Sequence, residues 1–195
     1  NAVKYLSDLE ELNVRILEEN GNYYLKGRLP WVTNARRDRF LTIFVAGFAD
    51  DPSKSYVVAV PSDAENFSRS EDLEFVSLQG GNTAALTFNK VSLKEEWILS
   101  RDAHQFLAQN RPAFLGYQFG LAFGLAERSL SEVEKELGKR DVLKEEWQHQ
   151  VEQLDDIRHS LYQGLSEESY FVRNPRELFQ LRIDIVDVVA QSLLL

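Results

Sequence analysis

A chain of 195 residues that is 44% hydrophobic and 27% charged has the make-up of a soluble globular protein of one or two small domains. Its formal net charge of -9, with no cluster of Lys and Arg on one face, argues against nucleic acid or an anionic membrane surface as main partner, because phosphate binding requires a basic surface. The absence of cysteine excludes disulfides and thiolate metal sites and leaves the redox compartment open.

The first half reads as strands and turns. Leu12, Val14 and Ile16 alternate with polar residues, and Asn20-Gly21 supplies the positive backbone angles of a tight hairpin, so residues 23–34 are expected to form its second strand. Pro30 cannot donate to a ladder and is expected to bend the chain out of regular pairing, letting the side chains of Trp31, Val32, Thr33 and Asn34 leave the sheet. Residues 40–48 are a nearly continuous apolar run of strand length, and 56–60 are its expected antiparallel neighbour. Further short strands are expected at 75–78 and 83–91, on either side of Gln79-Gly80-Gly81-Asn82, whereas 63–72 read as a polar surface loop. Short, evenly spaced strands suggest a small antiparallel β-barrel or sandwich.

From Asp102 the period becomes helical. Asn110-Arg111-Pro112 marks a helix start, since proline is tolerated in a first turn. Gly116, Gly120 and Gly124 share one face with Ala113; each glycine costs roughly 1 kcal/mol relative to alanine, so the stripe implies close approach by a neighbouring helix in preference to a flat ligand. Phe114, Leu115, Phe119, Leu121, Phe123 and Leu125 are expected to fill the sides of that groove, and Gly138 fits a helix end. A second helix is expected from about Asp141, with Trp147, Val151, Leu154, Ile157 and Leu161 on one side. A third opens at Asn174, with Asn174 and Glu177 in a capping box and Leu178, Leu181, Ile185 and Val188 on its apolar side. The expected fold is thus α+β: a β-barrel-like domain over 1–101 and an antiparallel helical bundle over 102–195. Both ends of the chain read as cut, and the bundle is expected to need a further helix or a partner chain.

The residues Tyr24, Leu25, Gly27, Trp31, Thr33 and Asn34 resemble the strand of the acyl-CoA dehydrogenase family that reads roughly Y-x-L-x-G-x-K-x-W-I-T-N. Residues 87–93 match the family's exit strand in part, with Leu93-Lys94 where Val-Pro stands, and Arg111-Pro112 through Leu130 is similar to a family helix. The resemblance implies that Trp31 packs on the isoalloxazine of FAD and that Thr33 hydrogen-bonds its reactive edge. It also implies that Arg111 lies near the acyl-CoA site, and that Arg140 reaches the FAD pyrophosphate across a subunit interface, although Leu143 and Lys144 replace the Phe and Gly of that motif. On chemistry alone, a flat apolar face beside a hydroxyl suits a flavin; the other reading is a core Trp with Thr and Asn closing a strand.

As a function, the resemblance implies an FAD-dependent oxidoreductase of fatty acid metabolism, acting on an acyl-CoA or related thioester as a homodimer or homotetramer. A flavin-dependent oxygenase or oxidase on the same scaffold, and a binding or assembly protein without catalysis, are the alternatives. The catalytic residues stay unknown: Asn110 stands where one branch of the family has its base, and Glu95, Glu96 and Asp102 read as solvated charges. His104, His149 and His159 are isolated, so no metal site is expected, and no phosphate-binding, dinucleotide or nucleophile motif is present. The uncharged run 112–126, which no other exceeds in length, is too short to span a bilayer, and a cytoplasmic location without membrane insertion is the expectation.

Overall fold

A computed structural model describes residues 12–51, 53–139 and 141–195. The chain divides into two compact units, Asn1–Leu107 and Ala108–Leu195.

The first unit is one seven-stranded sheet built from β1 (Val14–Glu19), β2 (Asn22–Val32), β3 (Leu41–Phe48), β4 (Ser55–Pro61), β5 (Phe67–Asp72), β6 (Ala84–Ser92) and β7 (Ile98–Ser100), in the order β5-β6-β2-β1-β3-β4-β7. The β1–β2 hairpin turns on Asn20 and Gly21 at φ 51° and 75°, the two positive angles that a two-residue turn requires. β3 follows β2 in the chain but pairs with the far side of β1, so it runs parallel to β1. The sheet is therefore mixed, where a wholly antiparallel one was expected; every other described pairing is antiparallel. β5 and β7 stand at its two edges, and no pairing joins them among the described residues.

β4 is buried along almost its whole length because both faces are covered. Val58 and Val60 join Ile16, Leu25, Phe48, Leu86 and Phe88 in the main core, while Val57 meets Leu12, Val45 and the first helical turn at Ala103, Phe106 and Leu107 on the other face. Such two-sided burial is what a continuous apolar run encodes. Two stretches differ from expectation. Residues 63–72 contain the edge strand β5, whose polar side chains mark a strand with one face in water. Residues 75–78 form no strand: they belong to an irregular loop that Gln79 ties down, its amide accepting from Phe75 N–H (2.9 Å) and donating to Leu73 O (2.9 Å).

The second unit holds α1 (Ala103–Glu136, from Ala108 on), α2 (Lys144–Ser166), the short α3 (Tyr170–Arg173) and α4 (Pro175–Ser192). Leu115, Phe119, Phe123, Ala126 and Leu130 form one stripe of α1 and share a core with Leu154, Ile157 and Leu161 of α2, Phe171 of α3, and Leu178, Ile185 and Val188 of α4. Trp147 Nε1–H donates to Leu130 O at 3.0 Å, and the Ser129 hydroxyl donates to Ser192 O.

The expected helix start at 110–112 is not observed. α1 begins at Ala103, capped by Asp102, whose carboxylate accepts the Gln105 N–H at 2.9 Å, and Pro112 lies inside the helix. Packing of Leu115, Phe119 and Phe123 into the core holds the turns beyond Pro112, and the lost donor there is one local defect in a long element. The boundary at Pro175 is as expected, but the capping box is not formed. Asn174 Nδ2 donates back to Tyr170 O (3.0 Å), and Glu177 accepts the Tyr170 hydroxyl (2.5 Å).

The glycine stripe divides. A Cβ on Gly116 would come within 2.9 Å of Leu165, whereas Gly120 and Gly124 face open space, and Phe114, Leu121 and Leu125 are exposed. The tightest helical glycine is Gly164, where a Cβ would sit 2.3 Å from the buried ring of Phe171. Gly164→Ala is expected to lower stability by about 1–3 kcal/mol through overpacking. Gly120→Ala is expected to raise it by up to about 1 kcal/mol. Urea unfolding midpoints of opposite sign for the two variants check this.

Candidate functional site

The site is built by the last residues of β2. As far as Leu29 the strand keeps a period of two, with Tyr23, Leu25 and Leu29 toward the core and Lys26 and Arg28 exposed. Leu29 then pairs with Leu86, but the next pair is Val32 with Ala84, so three steps along β2 stand against two on β6. One extra residue exchanges the two faces of a strand. Val32 takes the core-facing place, and Trp31, which unbroken alternation would bury, is 76% exposed with Thr33 exposed beside it. Pro30 fits the interruption because it has no N–H to leave unpaired. The aromatic face and the hydroxyl thus turn to solvent together, as expected from Pro30, but the expected departure of the whole run 31–34 is not observed: the strand continues to Val32, which pairs with Ala84 and faces the core because the extra residue changes the face and leaves the pairing in place.

Beyond Thr33 the backbone is held by two neighbours. Asn34 adopts φ 61°, a conformation Asn tolerates, and its N–H donates to Gly81 O at 2.9 Å; the Ala35 N–H donates to Asn82 O at 3.1 Å. The Thr83 hydroxyl makes a long 3.4 Å contact to Thr33 Oγ1, which leaves the Thr33 O–H to donate elsewhere. From β5, Arg69 Nε donates to Ala35 O at 2.7 Å, and its other nitrogens reach Ser70 O and the Asp72 carboxylate. The hydrogen bond from Arg69, followed by the Arg69 and Arg37 charges, holds the Asp72 carboxyl below the usual aspartate range.

Arg69 and Asp72 fall in a stretch whose composition reads as a loop. The available signal is the alternation of Phe67, Arg69 and their exposed neighbours, which a polar composition masks.

Trp31 and Thr33 are therefore brought together. Arg111 belongs to the second unit, in the interior of α1; its side chain is half-buried, with Nε lacking a hydrogen-bond partner. Arg140 lies outside the described residues. Among the carboxylates considered as a base, Glu95 pairs with Arg101, Glu96 is exposed and Asp102 caps α1. No group of three or more His, Cys, Asp or Glu placed to hold a metal ion occurs among the described residues, and no described helix is long and apolar enough to cross a membrane.

No protein-family model matches the chain. Among curated proteins, the chain is similar to the mitochondrial short/branched chain specific acyl-CoA dehydrogenase of Rattus norvegicus, 25% identical over 147 residues that make up 69% of this chain and 33% of that protein. Among solved structures, an FAD-dependent dehydrogenase superposes with a TM-score of 0.79 at 18% identity, over 95% of this chain and 54% of the other. Glutaryl-coenzyme A dehydrogenase, solved with glutaryl-CoA, gives 0.76 at 16% identity over 95% and 51%. The chain has the fold of the acyl-CoA dehydrogenase family. The same architecture extends to a dibenzothiophene monooxygenase from Paenibacillus, with a TM-score of 0.66 at 16% identity over 92% of this chain and 53% of that one. This acyl-CoA dehydrogenase-like chain spans about a third of the curated relative and about half of each solved structure. The family resemblance carried by residues 24–34 thus agrees with the fold, in the β-rich part and in part of the helical one.

Proposed function

We propose that this chain is the middle and part of the C-terminal region of an FAD-dependent enzyme that oxidises an acyl-CoA or related thioester. The observation that carries the reading is the exposed Trp31 face with Thr33 beside it, on a backbone held at both ends. These residues fit a flavin: a large apolar ring left in solvent gains by stacking on a flat partner, and a free hydroxyl donor at its edge fixes the partner's orientation. Bound FAD would supply the two-electron acceptor for a hydride leaving the β-carbon of the thioester, while the α-proton passes to a carboxylate. Within the chain, Trp31 excludes water from one ring face and Thr33 donates a hydrogen bond.

The finer features belong to the same proposal. They are a β-barrel-like domain over 1–101, an antiparallel bundle over 102–195, Arg111 toward the acyl-CoA, Arg140 toward the pyrophosphate, a cytoplasmic location and a role in fatty acid metabolism. Assembly as a homodimer or homotetramer is supported by the apolar residues Phe114, Tyr117, Leu121 and Leu125, which stay exposed along α1. The second reading, a flavin-dependent oxygenase or oxidase, is favoured by the fit to the monooxygenase and by the other duties of Glu95 and Asp102.

The test is the visible spectrum of the complete protein before and after anaerobic addition of an acyl-CoA. Bleaching of flavin bands without oxygen, with the reduced flavin only slowly reoxidised when air is admitted, supports the dehydrogenase; rapid reoxidation by oxygen, or oxygen consumption without such bleaching, supports the second reading. A colourless protein that takes up no added FAD overturns both and leaves a binding or assembly role. Trp31→Ala is expected to weaken FAD binding by about tenfold to a hundredfold, as loss of a stacking Trp anchor does. Because this side chain is 76% exposed, the melting temperature should stay within a few degrees of wild type. Titration of the apoprotein with FAD, followed by fluorescence quenching, measures the first effect.

A further inference from the structure

We infer that Arg69, braced by Asp72, is the positioning residue for the Trp31–Thr33 contact; the inference rests on the flavin reading proposed above. Trp31 and Thr33 are exposed, so packing does not fix their direction, and their placement comes from the backbone on either side. A ring contact with a hydrogen bond at its edge tolerates only about 0.5 Å of error, so that backbone has to be held.

The sheet holds it symmetrically about β6. Leu86 pairs with Leu29 on one side and with Arg69 on the other, and Ala84 pairs with Val32 and with Asp72. Both neighbours of β6 therefore carry an extra residue at the same level. On β2 that residue turns Trp31 and Thr33 outward. On β5 it brings Asp72 back alongside Arg69, with Ser70 Oγ accepting the Ala85 N–H at 3.0 Å to satisfy the interrupted ladder.

The guanidinium then joins the two bulged strands. It donates to Ala35 O just past Thr33 and Asn34, to Ser70 O on its own strand, and to Asp72. Both side chains are mostly buried, Arg69 at 13% and Asp72 at 18% exposure, so the charge-assisted bonds to Ala35 O and Asp72 are partly shielded from solvent. Among the described residues Arg37 bonds to the carboxylates Glu71 and Asp72 from outside and not to the Ala35 carbonyl, and it provides the control.

The experiment uses the complete protein and its variants Arg69→Met, Arg69→Lys and Arg37→Gln, read by FAD titration and by amide hydrogen exchange. Arg69→Met is expected to weaken FAD binding by about tenfold or more, the scale on which misplacing a contact group acts. Amide exchange at Asn34 and Ala35 should speed up while that of Val58 and Val60 in β4 stays at the wild-type rate. Arg69→Lys, which keeps one donor for Ala35 O, should recover part of the affinity, and Arg37→Gln should bind FAD as wild type does. An Arg69→Met protein with wild-type FAD affinity overturns the inference, and so does faster exchange at Val58 and Val60 in step with Asn34, which marks general loosening. Wild-type protein that binds no FAD overturns the flavin reading and the inference with it, a result visible before any variant is made.

Discussion

Gly27→Ala is expected to destabilise the β-sheet unit by about 3 kcal/mol or more, the scale of a backbone clash added to a strained conformation. Gly27 sits in β2 at φ 146°, where L side chains are rarely found. A Cβ there would lie 2.1 Å from the Asn13 carbonyl oxygen and 2.8 Å from Val14 Cα, both of them backbone atoms. Neither can give way without moving β1, because the same Asn13 carbonyl accepts the Arg28 N–H at 3.2 Å and Val14 pairs with Gly27 itself. Urea denaturation followed by circular dichroism measures the effect. A loss below about 1 kcal/mol, at an unchanged dependence on urea, would show that β1 and β2 separate easily and that their close approach at Gly27 is not required.

Phe88→Ala should cost about 3–5 kcal/mol, the range for truncating a buried aromatic residue. Phe88 is 1% exposed on β6 and stands opposite Gly27 on one side and Phe67 on the other. Its ring lies 4.8 Å from that of Phe44 and 5.1 Å from that of Phe67, so it ties β3 and β5 into one core. Phe88→Leu keeps most of the volume and is expected to lose clearly less than Phe88→Ala. Equal losses for the two would mean that ring geometry, and not filled volume, is what the core requires.

Local chemistry makes several parts readable in the chain itself. Asn20-Gly21 needs nothing beyond its own backbone angles to announce a hairpin, and the apolar runs at 40–48 and 56–60 pair as read. Helix α4 begins at Pro175 because a proline after Asn174 suits a first turn whatever surrounds it. Pro112 misleads for the same reason: its local preference for a helix start is overridden by the packing of Leu115, Phe119 and Phe123 into the helical core, which holds the turns beyond it in spite of three glycines. The polar strand β5 escapes sequence reading because hydrophobic periodicity carries no information about an edge strand that buries only Phe67, Arg69 and Asp72 in part.

The candidate site shows the same division. Trp31, Thr33 and Asn34 can be singled out from their types and from Pro30, since each property involved is local: a flat ring, a hydroxyl, a missing donor. Whether Trp31 faces core or solvent depends on a count of residues on two strands at once, Leu29 to Val32 against Leu86 to Ala84, and no window of sequence contains both. Arg69 is 34 residues from Ala35, and their hydrogen bond exists only because β6 holds β2 and β5 on its two sides. Amino-acid order by itself therefore determined the hairpin, the paired apolar strands, the main helical faces and which aromatic and hydroxyl residues stand at the end of β2. Tertiary structure alone decided which face Trp31 takes and what holds it, because pairing register is a relation between strands distant in the chain and is settled by the packing of both against a common neighbour.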